Sequence, residues 1–146
     1  MVALNHQTTD DKMALYHGKF LDNASCGYLL KPHYLRNANE IKFNPWDVPF
    51  DIDHPLALTV KIISGQFLPR SKSKSKDVPD PYVAISTHGL PYDKTKRETK
   101  VIKNNGFDPI WNEQFDFYIR YPQMCLIYFS VMDHDSVSSN DRIAYF

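Results

Sequence analysis

The sequence predicts a mainly β chain: an antiparallel sandwich over residues 51–146, preceded over residues 1–50 by one strand, one helix and a linker. Past Leu56, six short runs rich in Val, Ile, Tyr and Phe recur at near-regular intervals with turn-forming clusters between them, the pattern of an antiparallel sandwich. Before that point the period is different, and a stretch with three prolines in twelve residues, "NPWDVPFDIDHP", separates the two parts as a linker would.

Taken in order, the chain opens on the apolar run "MVALN", a candidate strand, followed by the polar break "HQTTDDK". In "MALYHGKFL", Met13, Tyr16 and Phe20 fall at helical spacing. Gly27 and Pro32 then punctuate a short extended piece, "DNASCGYLLKP". The six sandwich strands are expected at "LALTVKII" (56–63), "PYVAIST" (81–87), "KRETKVI" (96–102), "NEQFDFYI" (112–119), "LIYFSVM" (126–132) and "RIAYF" (142–146).

Composition narrows the function classes. Hydrophobic residues form 42% and aromatics 14% of 146 residues, enough for one packed domain with an appendage and too much for disorder. Lys plus Arg and Asp plus Glu both number 17, so net charge offers no argument for nucleic acid, and a binding surface must come from local clustering. Cys26 and Cys125 show neither metal-type spacing nor a disulfide framework, which makes a reducing, intracellular setting the default. No run of 18 apolar residues occurs and the N-terminus lacks a signal-peptide pattern, so membrane contact is expected to be peripheral.

The chemistry gathers at one pole. If consecutive strands run antiparallel, the connections after the first, third and fifth strands emerge at the same end of the sandwich. Those connections contain Asp77 and Asp80, Asn104, and Asp133, Asp135 and Asp141, whereas the two connections at the other end hold only Asp93. Crowded carboxylates repel one another, and a hard cation relieves that repulsion: Ca²⁺ accepts six to eight oxygens in forgiving geometry. Zinc prefers Cys and His, and His134 is the sole histidine in the cluster; Mg²⁺ demands strict octahedral geometry. Asp and Asn also initiate turns, which accounts for "DHDSVSSND" taken alone but less well for three loops together. An EF-hand is excluded, because counting from Asp133 puts Ser138 where Gly is needed and Ala144 where Glu is needed.

Beside this cluster, "PRSKSKSK" alternates Arg70, Lys72, Lys74 and Lys76 with serines. Such a loop is solvated surface unless its neighbours give it a partner; next to a cation site, anionic lipid headgroups fit, at about 1 kcal/mol per basic residue. A second basic run, Lys94, Lys96, Arg97, Lys100 and Lys103, would form one basic sheet face only in part. Asp51, Asp53 and His54 could hold a metal by residue type, but in a proline-rich linker they read as polar connection. Catalytic motifs are missing: no GxSxG, no HExxH, no phosphate-cradling glycine loop. By its residues alone the chain is a binder.

Three stretches, "VPDPYVAI", "VIKNNGFDPIWNEQFDFYI" and "VMDHDSVSSND", resemble the loops of a C2 domain in the order found in phosphoinositide-specific phospholipases C. Upstream, "MVALNHQT" and "GKFLDNASCGYLLKP" resemble the end of the same family's Y region, the last part of a TIM-like catalytic barrel. The resemblance covers nearly the whole chain. It implies a C2-type sandwich, incomplete at its C-terminus, after a terminal strand–helix remnant of the barrel. It also implies Ca²⁺ ligands at Asp80, Asn104, Asp133, Asp135 and Asp141 with a backbone carbonyl near Val78, and docking of the barrel onto a phospholipid surface from the cytoplasm.

The family's catalytic histidines, acid-held catalytic metal and inositol-phosphate grips find no counterpart here, so no catalytic residue is assigned and the remainder of the barrel is expected upstream. His6 stands where the family carries an aromatic, and the sandwich is expected to continue for about two strands past "RIAYF". Both ends therefore look truncated, and the 146 residues alone are expected to be marginally stable. The implied parent activity is hydrolysis of phosphatidylinositol 4,5-bisphosphate to diacylglycerol and inositol trisphosphate. The rival expectation is a non-enzymatic C2 membrane-targeting or scaffold protein.

Overall fold

Alternation of inward and outward side chains is what shapes the strands. In the computed structural model, which describes residues 5–8, 10–36, 44–46, 55–70, 78–136 and 139–146, six strands form: β1 Leu56–Ser64, β2 Pro81–His88, β3 Thr95–Glu98, β4 Ile110–Ile119, β5 Leu126–Asp133 and β6 Asp141–Tyr145. β4 shows the rule most clearly. Trp111, Phe117 and Ile119 are buried, while Asn112, Gln114, Asp116 and Tyr118 between them are exposed.

Two antiparallel sheets result, one of order β1-β4 and one of order β3-β2-β5-β6. Their inner faces meet in a core of Val83 and Ile85 from β2, Trp111, Phe117 and Ile119 from β4, and Val131 from β5, with Leu58, Val60 and Ile62 of β1 packed against it. Ile85 is fully buried, a side chain whose removal from water is worth about 1.5–3 kcal/mol. The mainly β, antiparallel sandwich expected from the sequence is thus the architecture observed.

One strand differs from expectation. The third was expected over 96–102, yet regular pairing ends at Glu98. The next residues still bond to β2: the Thr99 amide donates to the Val83 carbonyl at 3.0 Å and the Ile102 amide to the Pro81 carbonyl at 3.0 Å. The Thr99 hydroxyl accepts the Val83 amide at 2.9 Å, so a side chain takes over one rung and the ladder loses its regularity.

The single helix of more than one turn among the described residues is α1, Asp11–Leu21. Asp10 caps it, its carboxylate accepting the Met13 amide at 2.9 Å; Asp11 in the first turn and Lys19 in the last complement the helix dipole. Met13 and Ala14 are buried, and α1 lies against β5. Tyr16 instead stays at the surface, edge-on to Phe20 at 5.1 Å between ring centres. The helix stops where Ala24 and Ser25 turn left-handed and the Ser25 amide returns to the Phe20 carbonyl at 2.9 Å. Residues 1–4, most of the expected opening strand, lie outside the described residues, as do most of the linker, Asp51, Asp53 and His54 among it.

Candidate metal centre

Strand parity delivers the three connections to one pole, and hydrogen bonds then stitch them together. The Asp80 amide donates to Asp133 Oδ1 at 2.7 Å, and the Asn104 amide donates to Asp80 Oδ1 at 2.6 Å. Backbone bonds reinforce the seam: His134 N to the Asp80 carbonyl at 3.0 Å and Asn105 N to the Pro79 carbonyl at 3.1 Å. In register, Asp133 faces Pro81 on one side and Asp141 on the other. Asn104 takes a left-handed backbone (φ 51°), a conformation Asn tolerates better than most residues, and this turns its amide to Asp80. Gly106 is needed for closeness, since a Cβ there would stand 3.0 Å from the Pro79 ring.

The last connection closes on itself. The Asp135 amide donates to Asn140 Oδ1 at 2.9 Å, and Asn140 Nδ2 reaches the Tyr82 hydroxyl at 2.9 Å. Asp133 is buried, Asp80, Asp135 and Asp141 are half-buried, and Asn104 and Val78 are exposed. Asp80, Asn104 and Asp133 are therefore joined directly, Asp141 through strand pairing, and Asp135 through its own turn. Arg70 is exposed; Lys72, Lys74 and Lys76 lie outside the described residues.

Among the described residues, no three His, Cys, Asp or Glu side chains stand together as a ready metal-holding group. The hydrogen bonds give a physical reason for part of this: Asp80 and Asp133 each turn Oδ1 to a backbone amide. A carboxylate has two oxygens and about four lone-pair positions, so such a bond occupies part of its capacity. The donor set of carboxylates, an Asn amide and a carbonyl is wholly oxygen, which suits Ca²⁺ by chemistry.

Two aromatics that sequence reading passed over stand at the same pole. Phe67 and Phe107 meet edge to face, 4.7 Å between centres, while 75% and 65% exposed. Their backbones are bonded, Phe67 N to the Phe107 carbonyl at 2.8 Å and Leu68 N to the Gly106 carbonyl at 2.8 Å. Phe67 also has φ 51°, an uncommon and strained conformation for a bulky residue. Neither Phe belongs to an alternating run, so period-based reading had no signal for them.

Comparison with known proteins assigns both parts of the chain. Residues 56–146 match the C2 domain model, and residues 1–34 match the model for the phosphatidylinositol-specific phospholipase C Y domain. The chain belongs to the phosphatidylinositol-specific phospholipase C family. It is 46% identical over 143 residues to mouse 1-phosphatidylinositol 4,5-bisphosphate phosphodiesterase zeta-1, covering 98% of this chain and 22% of the relative. To the delta-4 phosphodiesterase of Xenopus laevis it is 43% identical over 149 residues, covering 100% of this chain and 19% of the relative. The chain thus spans about a fifth of the curated relatives it matches. Among solved structures it is similar to human GIVD cytosolic phospholipase A2 in complex with an inhibitor and terbium chloride, with TM-score 0.56, 26% identity, and coverage of 66% of this chain and 14% of that one.

Away from the acidic pole, the chain holds a carboxylate of a different kind. Asp93, at the opposite end, is 2% exposed. Its Oδ1 accepts the Arg120 amide at 2.8 Å, its Oδ2 the Tyr121 amide at 3.0 Å, and its carbonyl the Thr87 hydroxyl at 2.6 Å. The residue the sequence left as an isolated turn acid is the clamp between the two far connections. Its charge and the burial around it act on its neighbours. Burial first, then Asp93, pushes the Cys125 thiol and the Tyr121 phenol upward. Both cysteines are free thiols.

The outer face of the four-stranded sheet holds a hollow of about 480 Å³ lined by residues that include His88, Lys96, Tyr128 and Arg142. Burial lowers His88, with Lys94 adding to the effect against Asp11. The second basic run is not one basic face: on β3 Lys96 and Glu98 share a side and pair at 2.7 Å, while Arg97 alternates to the other. No described helix is long and apolar enough to cross a membrane.

Proposed function

We propose that the C2 domain of this chain docks onto anionic phospholipid in a Ca²⁺-dependent manner, as the membrane anchor of a phosphoinositide phospholipase C. The ligands in this reading are Asp80, Asn104, Asp133, Asp135, Asp141 and the Val78 carbonyl. Bound Ca²⁺ would supply local charge neutralisation and open coordination positions for lipid oxygens. The observation that carries the reading is the chain of bonds from Asn104 N to Asp80 and from Asp80 N to Asp133, which holds three acidic loops at one pole. The exposed Phe67–Phe107 pair beside them gives that pole an apolar tip, and Arg70 with Lys72, Lys74 and Lys76 would give it a basic rim. The human phospholipase A2 structure is named as a complex with terbium chloride, whose Tb³⁺ is a hard cation of the kind that oxygen ligands take.

In this reading residues 51–146 form the docking module, and residues 1–50 join it to the barrel remainder in the whole enzyme. The enzyme would hydrolyse phosphatidylinositol 4,5-bisphosphate to diacylglycerol and inositol trisphosphate at the cytoplasmic membrane surface; no residue of this chain has a catalytic part. Cosedimentation with phosphatidylserine-containing vesicles tests the docking. The chain should pellet in Ca²⁺ and stay in solution in chelator, and an Asp133→Asn, Asp135→Asn variant should lose the Ca²⁺ response. Equal sedimentation of both proteins in Ca²⁺ and chelator would sink the reading.

A further inference from the structure

One side chain of α1 grips the strand that closes the acidic loop. Asp11 Oδ1 accepts from the Tyr128 hydroxyl at 3.2 Å and from the Arg142 guanidinium, and Arg142 donates to the Tyr128 oxygen at 2.8 Å. The guanidinium also lies over the Tyr145 ring, 4.9 Å from its centre. Arg142 directly follows Asp141, the first residue of β6 and a ligand in the reading above. The register of β6 shifts between Val131 and Met132, which sets Arg142 opposite Met132 on the outer face while Asp141 stays opposite Asp133.

Two physical effects connect that grip to the loop. β6 is five residues long and, among the described residues, pairs with β5 alone, so few ladder bonds hold its start, and the Asp11–Tyr128–Arg142 contact adds a fixed point. A guanidinium one residue from a carboxylate cluster also opposes cation binding, and a carboxylate against it cancels much of that field. Both effects favour the metal when α1 is docked. By linkage, the metal then favours the docking of α1.

We infer that Asp11 and Arg142 are positioning residues for the calcium loop, coupling the helix of the Y region to cation binding by the C2 domain. This rests on the docking reading above. Asp11 is 67% exposed on its side chain and Arg142 21%, so the coupling is that of a pair with one solvated partner, about two- to fivefold in affinity.

The test is calorimetric titration of CaCl₂ into the whole chain, as wild type, Asp11→Asn, Arg142→Gln and the double variant, with hydrogen exchange of the α1 amides alongside. Asp11→Asn should weaken binding about two- to fivefold. The double variant should bind no more weakly than Asp11→Asn, Asp11→Glu should restore affinity, and Ca²⁺ should slow α1 exchange in wild type but not in Asp11→Asn. Unchanged affinity in Asp11→Asn, or single effects that add in full, overturns the coupling and leaves the docking reading standing. A wild type that binds no Ca²⁺ overturns both. Tyr128→Phe, which removes only a hydroxyl, should reproduce part of the loss if Asp11→Asn alters folding; full wild-type affinity there also counts against the coupling.

Discussion

The Asp80 amide donates to the Asp133 carboxylate at 2.7 Å across 53 positions of sequence, so one side chain both closes a part-buried seam and belongs to the acidic pole. These two roles separate by substitution. Asp133→Asn keeps an oxygen for the Asp80 amide and should fold normally while losing Ca²⁺-dependent sedimentation. Asp133→Ala leaves that amide without its partner and should lose about 1–3 kcal/mol in urea unfolding as well.

Asp93 should matter for stability and not for docking. Asp93→Ala strands two backbone amides, those of Arg120 and Tyr121, and should destabilise by about 2–4 kcal/mol. Asp93→Asn should lose less, because one of its two atoms still accepts. Urea midpoints measure both, and any variant folded at the assay temperature should retain the Ca²⁺ response.

The Phe67–Phe107 pair is exposed, so removing it should leave folding intact. Phe67→Ala and Phe107→Ala should each weaken vesicle binding, by up to about 2 kcal/mol if the ring enters the bilayer interface, with Ca²⁺ affinity in the absence of lipid unchanged. Phe67→Gly should stabilise or be neutral in the melt, since Gly relieves the strain of φ 51°. Vesicle partition and calorimetry together separate the apolar from the metal contribution.

Stability should fall at both ends of the pH scale. Burial raises Cys125 above its usual 9.0, and Tyr121 and Tyr128 above their usual 10.0, so folding favours their protonated forms. That contribution is full below the ordinary thiol and phenol values and is lost as pH rises through the raised ones. Burial holds His88 below its usual 6.5, so its contribution is present above that value and is lost as pH falls through the lowered one. Melting temperature against pH should therefore plateau between about 6.5 and 9, and Cys125→Ser should push the alkaline decline upward.

The sequence alone located the six sandwich strands, drawing the third too long, and gathered the acidic loops at one pole. Alternation has a period of two, and antiparallel order makes every second connection share an end; both are local properties that need no coordinates. On that footing Asp77, Asp80, Asn104, Asp133, Asp135 and Asp141 could be grouped in advance. What tertiary structure alone decided are the contacts between residues far apart in sequence. The buried clamp of Asp93 on the Arg120 and Tyr121 amides, the left-handed Phe67 against Phe107, and the grip of Asp11 on Arg142 depend on which loops and faces meet after folding. Hydrogen-bond geometry and burial are set by that meeting, and a carboxylate in a turn reads the same in sequence whether it ends as a clamp, a ligand or a solvated charge.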